Sequence, residues 1–260
     1  MRRGVRAAHR KLVFRLAMRR YLADPAGCAI PGNKVLRDLV YGWGNKGYVS
    51  LDEYLAACIV HAMATTGPIL ECGSGLSTLL VAAVAKRQGR VLWSLEHSPY
   101  WAARVGSYLR FYGLDSVTLS TRPLKDSGGY CWYDVPLDSM PKRFDLVLCD
   151  GPPSKVKGGR YGLVPRMREH LEPGCVILLD DGAREQERGV VRRWKSEFGV
   201  EVEICATLKP YVKLVIPQMP GGDTLTGSID GATESLTREP VMEGPGRGPV
   251  GQAPERAPRR

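Results

Sequence analysis

Apolar residues in this chain fall into two rhythms that alternate along its length. Short runs of strand length occur at Ile69-Leu70, Val91 to Glu96, Val117 to Ser120, Phe144 to Asp150 and Cys175 to Asp181. Between them, apolar residues recur at helical spacing: Leu51, Leu55, Cys58, Ile59 and Ala62; Leu76, Leu79, Leu80, Ala83 and Val84; the span from Tyr100 to Phe111; and Val190, Val191, Trp194 and Phe198. Strand–helix alternation predicts a parallel, doubly wound α/β sheet. Val200 to Cys205 and Tyr211 to Ile216 follow without a helix between them, so they predict a closing antiparallel hairpin and bring the strand count to seven.

The flanks read differently. Residues 1–24 predict a basic helix or arm, with Val5, Ala8, Leu12 and Leu16 as its apolar stripe and Phe14 and Met18 pointing elsewhere. A short helix is expected near Lys34 to Tyr41, and Tyr41-Gly42-Trp43-Gly44-Asn45 reads as a loop that covers a ligand or plugs the sheet edge. Ser50-Leu51-Asp52-Glu53 has the spacing of a capping box, with Ser50 bonding forward and Glu53 back. A long aromatic loop is expected from Ser127 to Lys142, and a flexible basic one from Lys155 to Arg160. From Gln218 onward Gly, Pro, Ser, Thr and Glu dominate, which predicts a disordered tail over 218–260. The expected organisation is an arm over 1–24, one domain over 25–217, and the tail.

The chemistry concentrates in Glu71-Cys72-Gly73-Ser74-Gly75, a glycine turn joining the first strand to the helix that starts at Leu76. Glycines there remove the Cβ atoms that would keep a nucleotide off the backbone. The dinucleotide fingerprint wants a third glycine where this chain has Thr78, and it has no acid at the place of Glu71. An E-x-G-x-G turn, followed by a strand ending in the carboxylate of Glu96, resembles motif I of the class I S-adenosylmethionine-dependent methyltransferases. The resemblance covers roughly residues 50–217. It implies a seven-stranded Rossmann-like fold and S-adenosylmethionine as cofactor. By the same resemblance Glu71, Gly73, Ser74, Gly75, Ser77 and Thr78 cradle the cofactor, Glu96 accepts its ribose hydroxyls, and His97, Leu124 and Asp150 flank it, Leu124 on the adenine side.

Acids also close the fourth and fifth strands, at Asp150 and at Asp180-Asp181. Adjacent strands would let these three converge, and oxygen-only ligation suits Mg²⁺, which would hold an acceptor oxygen and lower its pKa. The set resembles the metal-dependent catechol-type O-methyltransferases. Asp181 stands where that group has Asn, and Lys155 is the nearest substitute for its lysine after the fourth strand. The alternative is that Asp180 and Asp181 cap the next helix and orient Arg184. Asp150, Asp181 and His97 are the candidate catalytic residues. Gly151 interrupts any acidic-Pro-Pro-aromatic motif for amino methylation of bases, and no Pro-Cys pair follows a strand to supply a cysteine nucleophile. The expected reaction is methyl transfer to an oxygen of a small molecule. An RNA or protein acceptor gripped by the basic arm, or a non-catalytic cofactor-binding domain, stands as the alternative.

Composition changes this picture little. Hydrophobic content of 43% and charged content of 25% over 260 residues are those of a globular domain, and no apolar run approaches a membrane span. The net charge of +10 is concentrated at the ends: eight Lys or Arg precede the first acid, Asp24. The arm therefore reads as a solvated helix, an anionic-membrane contact, a nucleic-acid contact or a transit peptide. Seven cysteines in no C-x-x-C pairing, several inside strands, read as small buried residues in a reducing, cytoplasmic setting.

Overall fold

The computed structural model describes residues 2–44, 50–114 and 116–218. The expected disordered tail beyond Gln218, and Asn45 at the end of the glycine–aromatic stretch, lie outside the described residues. Five parallel strands carry the core: β1 (Ile69–Cys72), β2 (Leu92–Glu96), β3 (Val117–Thr121), β6 (Phe144–Cys149) and β7 (Leu171–Leu179). The hairpin β8 (Glu201–Cys205) and β9 (Tyr211–Val215) closes the sheet, with β9 antiparallel to β7. The order is β3-β2-β1-β6-β7-β9-β8. The chain leaves β1 toward one edge and returns through β6 toward the other, so a crevice opens over the β1 and β6 tips.

Period-two alternation feeds two apolar layers. Leu146 and Leu148 of β6 join one layer, with helices α1 (Arg2–Ala23), α3 (Lys34–Trp43), α4 (Asp52–Ala64), α5 (Leu76–Arg87) and α6 (Pro99–Phe111). Val147 and Cys149 join the other, with α7 (Leu163–Met167) and α8 (Glu185–Phe198). The remaining helix, α2 (Pro25–Cys28), is a single turn capped by Asp24.

Four local expectations are corrected. The stripe of α1 that packs is Phe14, Ala17, Met18 and Tyr21, whereas Val5, Leu12 and Leu16 face solvent. Phe14 meets Trp43 and Tyr108 edge-on or tilted, and the Tyr21 hydroxyl donates to the Leu80 carbonyl. This part of the arm is therefore core. Tyr41-Gly42-Trp43 is the last turn of α3 and not a loop; a Cβ on Gly42 would lie 2.6 Å from Phe14 Cβ, so the glycine is what lets the two helices touch. The expected aromatic loop is not all loop: its residues Cys131–Tyr133 form β5, which pairs back on β4 (Leu124–Asp126) just before it as a two-stranded hairpin. Pro173-Gly174 lies inside β7 as an irregularity in its pairing with β6, where a turn before the strand was expected.

The buried face of α1 gives a direct test. Met18→Ala empties a fully buried position and should cost about 2–5 kcal/mol, while Leu12→Ala on the exposed stripe should change stability by less than about 0.5 kcal/mol. Urea unfolding of both variants checks it; the reverse ranking would mean that the packed stripe is misassigned.

Candidate functional site

The glycine turn is held from beneath by Glu71. This carboxylate is buried and accepts from the hydroxyls of Ser77, Thr78 and Ser94, each at 2.6 Å. Thr78 Oγ1 in turn accepts from Gly75 N–H at 2.8 Å, which fixes the start of α5. Burial pushes the Glu71 carboxyl up to about 7, against the three hydroxyls that pull it down. Glu71, Ser77 and Thr78 thus shape the turn from inside the protein. Gly73 has φ +89°, and a Cβ there would lie 2.8 Å from Gly151 N, so the β1 and β6 tips touch backbone to backbone. Gly75 is the open one: a Cβ on it would meet nothing within 4 Å.

Glu96 ends β2 beside the turn. Its Oε2 accepts from Ser74 N–H at 3.1 Å and Ser74 Oγ at 2.9 Å, and its Oε1 accepts from Ser98 N–H at 2.8 Å. His97 Nδ1 lies 3.1 Å from Oε1 and the imidazole stays about a third exposed. The Trp101 indole N–H donates to the Ser74 carbonyl, and Arg104 stacks on both Trp101 and Trp43 at 4.9 Å, tying the turn to α3. Leu124 opens β4 opposite Tyr133. Tyr133 is buried with its hydroxyl unpartnered, 2.5 Å from where a Gly151 Cβ would sit and with its ring 6.4 Å from His97. Burial holds its phenol well above the ordinary value, so it stays a neutral donor at the crevice.

On the other side of Gly151, Asp150, Asp180 and Asp181 do converge, with ligand oxygens within 4.8 Å of one another. They are threaded by cations. Arg160, 2% exposed, donates to the carbonyls of Asp180 (2.6 Å) and Asp150 (2.8 Å), to Asp150 Oδ1 (2.9 Å) and to Asp181 Oδ2 (3.0 Å). Lys209, from the β8–β9 connection, lies 2.9 Å from Asp180 Oδ2 and 2.8 Å from Asp181 Oδ1. Arg184 adds 2.8 Å to Asp181 Oδ2, and Ser50 Oγ donates to Asp180 Oδ2 at 2.8 Å.

The expected capping box is therefore overturned. Leu51 is the N-cap of α4 with no side-chain bond, Ser50 has left for Asp180, and Glu53 accepts from the Leu208 N–H. Asp180 and Asp181 do not cap α8 either, whose N-cap is Arg184 with no side-chain bond, although Asp181 does hold the Arg184 side chain. Nor is Arg160 part of a solvated basic loop. Among residues that sequence reasoning did not place in the site, Ser50 carried a misleading local signature, and Tyr133, Arg160 and Lys209 have none. Gly151 had one, as a glycine directly after a strand-tip acid.

Burial pushes the Asp150 carboxyl up to about 7, reinforced by Asp180 and opposed by Arg160. Asp181 moves the other way: burial would raise it, but Lys209, Arg160 and Arg184 together hold it below the usual range. Burial also works against the charge of Lys209, yet Asp180 and Asp181 keep it above the ordinary lysine value. Asp150 keeps 31% of its side chain exposed and, with Pro153, Ser154, Lys155, Arg184 and Lys209, lines a cavity of about 240 Å³.

The comparisons with known proteins agree with this geometry. A family described as "Methyltransferase domain" matches residues 70–182. No curated protein matches significantly in sequence. Among solved structures, the S-adenosylhomocysteine-bound methyltransferase PaMTH1 of Podospora anserina is similar at 17% identity and TM-score 0.53, over 67% of this chain and 82% of that one. The O-methyltransferase of Bacillus cereus in complex with S-adenosylhomocysteine is similar at 18% identity and TM-score 0.51, over 76% and 96%. A precorrin-6y C5,15-methyltransferase of Geobacter metallireducens reaches 16% and 0.50, over 66% and 92%. Such identities speak for the fold, and neighbours named for different acceptors share it. No helix among the described residues is long and apolar enough to cross a membrane. With the sheet order, the glycine turn and the family match in one stretch, residues 70–182 match a methyltransferase domain and the chain has the fold of the class I methyltransferases.

Proposed function

We propose that this enzyme binds S-adenosylmethionine over the Gly73–Gly75 turn and transfers the methyl group to an oxygen of a small molecule. The observation that carries the oxygen reading is Asp150. Among the described residues it is a strand-tip carboxylate that borders the glycine turn and also opens onto a cavity, with its pKa pushed up to about 7. A base of that strength is matched to taking a hydroxyl proton near neutral pH.

The residues present fit the cofactor. Space is open above Gly75, the Tyr133 hydroxyl lacks a partner beside Gly151, and Ser74 Oγ already donates to Glu96 as a ribose hydroxyl would in its place. Glu96 would hold the ribose, with His97 and Leu124 flanking it, while Glu71, Ser77 and Thr78 keep the turn in shape. When bound, the sulfonium would supply an electrophilic methyl, its S–C bond breaking to leave the neutral thioether as the acceptor oxygen takes the carbon. Arg160 aims the Asp150 carboxylate, Asp150 receives the hydroxyl proton as the new O–C bond forms, and the walls of the cavity limit water around the acceptor. Asp181 serves by holding Lys209 and Arg184, since both its oxygens are taken by cations. His97 lies outside the cavity lining, on the ribose side, and is not needed as the base.

Glu96→Gln should weaken S-adenosylhomocysteine binding by roughly 1.5–3 kcal/mol, about ten- to a hundredfold, because a charged acceptor of hydroxyl protons becomes half donor. Calorimetry measures it. Unchanged affinity would remove Glu96 from the cofactor site, and absence of binding by the unmodified protein would sink the methyl-transfer reading.

A further inference from the structure

The structure assigns to Lys209 the place that a divalent cation would take, so that this enzyme holds its acceptor with a built-in ammonium and without a metal ion. The inference rests on the reading of the crevice as the methyl-transfer site.

Its first support is an account of the carboxylate oxygens. Asp180 Oδ1 accepts from the Asp181 N–H at 2.7 Å, and Asp180 Oδ2 accepts from Ser50 and Lys209. Asp181 Oδ1 faces Lys209, and its Oδ2 is shared by Arg160 and Arg184. Asp150 Oδ1 is taken by Arg160, which leaves only Asp150 Oδ2, with a long 3.4 Å contact to Ser50. Mg²⁺ demands near-octahedral oxygen ligation at about 2.0–2.1 Å. It would have to strip protein donors from nearly every one of these oxygens.

The second support is charge. Four carboxylates, Asp150, Asp180, Asp181 and Glu187, face three cations, Arg160, Arg184 and Lys209, so the cluster is within one charge of balance before any ion arrives. A divalent ion would overshoot that balance and leave an uncompensated positive charge in a site whose Asp180, Asp181, Glu187 and Arg160 are all buried.

The third is position. Lys209 bridges Asp180 and Asp181, as a shared ion would, and spends two of its three N–H groups on them. Its side chain remains 29% exposed and lines the cavity that Asp150 opens onto. One N–H is left for an acceptor oxygen, which it would hold as an alkoxide develops. The lysine expected shortly after the fourth strand thus comes from the far hairpin, and Lys155 stays exposed at the cavity rim.

The test is Mn²⁺ binding to the full chain, followed by electron paramagnetic resonance and run beside calorimetry with S-adenosylhomocysteine. The unmodified protein should show no saturable Mn²⁺ site below about 1 mM. Lys209→Ala should bind Mn²⁺ at least roughly tenfold tighter, since two carboxylates lose their counter-ion together. Lys209→Arg, which keeps the charge, should exclude Mn²⁺ as the unmodified protein does. A tight site in the unmodified protein that disappears in Asp181→Asn would overturn the inference, as would Mn²⁺ affinity indifferent to Lys209→Ala. S-adenosylhomocysteine affinity reports separately on the crevice. Its failure in the unmodified protein would strike the methyl-transfer reading and leave the metal result standing.

Discussion

Replacing Arg160 with methionine is expected to cost about 3–5 kcal/mol of stability, a large part of the whole for a domain of this kind. The side chain is 2% exposed and bonds two carbonyls and two carboxylates across the β6 and β7 tips, with Glu187 3.7 Å from its Nε. Methionine fills similar volume but leaves Asp150, Asp181 and Glu187 short of a partner in surroundings that resist bare charge. Burial opposes the guanidinium's charge, yet Asp150, Asp181 and Glu187 hold its pKa above the usual range, so the cation belongs to the folded state. Lysine should rescue little, because one ammonium cannot reach the planar set of acceptors that the fork satisfies. Urea unfolding measures the loss. A change below about 1 kcal/mol would mean that the cluster does not join the two strand tips.

Gly73→Val should abolish cofactor binding, with S-adenosylhomocysteine affinity falling more than roughly a hundredfold. The cause lies inside the protein: a Cβ would sit 2.8 Å from Gly151 N and 3.0 Å from its Cα, at φ +89° where L side chains are strained. Backbone cannot yield as a flexible side chain would, so the β1 and β6 tips must part. Gly75→Ala is the informative partner. Its Cβ would meet nothing within 4 Å, so melting should be unchanged while affinity falls, because only a bound ligand would contest the space. Calorimetry with melting curves on both variants decides this. Full affinity in Gly75→Ala would move the cofactor away from the turn.

The contrast between these glycines shows what the sequence disclosed. The strand–turn–helix from Ile69 to Arg87, the strand-tip acids and the closing hairpin were legible because each depends on neighbours within a few residues. Ser50 was misread because its spacing to Glu53 satisfies a local rule, while a carboxylate 130 residues away competes for the same hydroxyl and wins. Arg160 and Lys209 sit in polar stretches where charge usually means solvent, and nothing nearby says that three acids wait for them. The arm offered two candidate stripes on one helix; Phe14, Met18 and Tyr21 won because Gly42 admits α3 against that side. The β4–β5 hairpin did leave a trace in Asp126-Ser127-Gly128, where Gly128 N–H bonds to Asp126 at φ +84°, but three-residue strands carry too little periodicity to be seen.

Lys209 and Ser50 bracket almost the whole domain in chain order, and both end on Asp180. On a ribosome, where residues emerge at about 5–20 per second, β1, its glycine turn and Glu96 are available long before the ammonium that pairs with Asp180 and Asp181. Nascent chains that stop short of the β8–β9 connection would carry Asp180 and Asp181 without that counter-ion, beside a sheet whose β7 edge has no β9 to pair with. The last cation of the acid cluster and the strand that seals the β7 edge therefore arrive together, late in synthesis, with one hairpin.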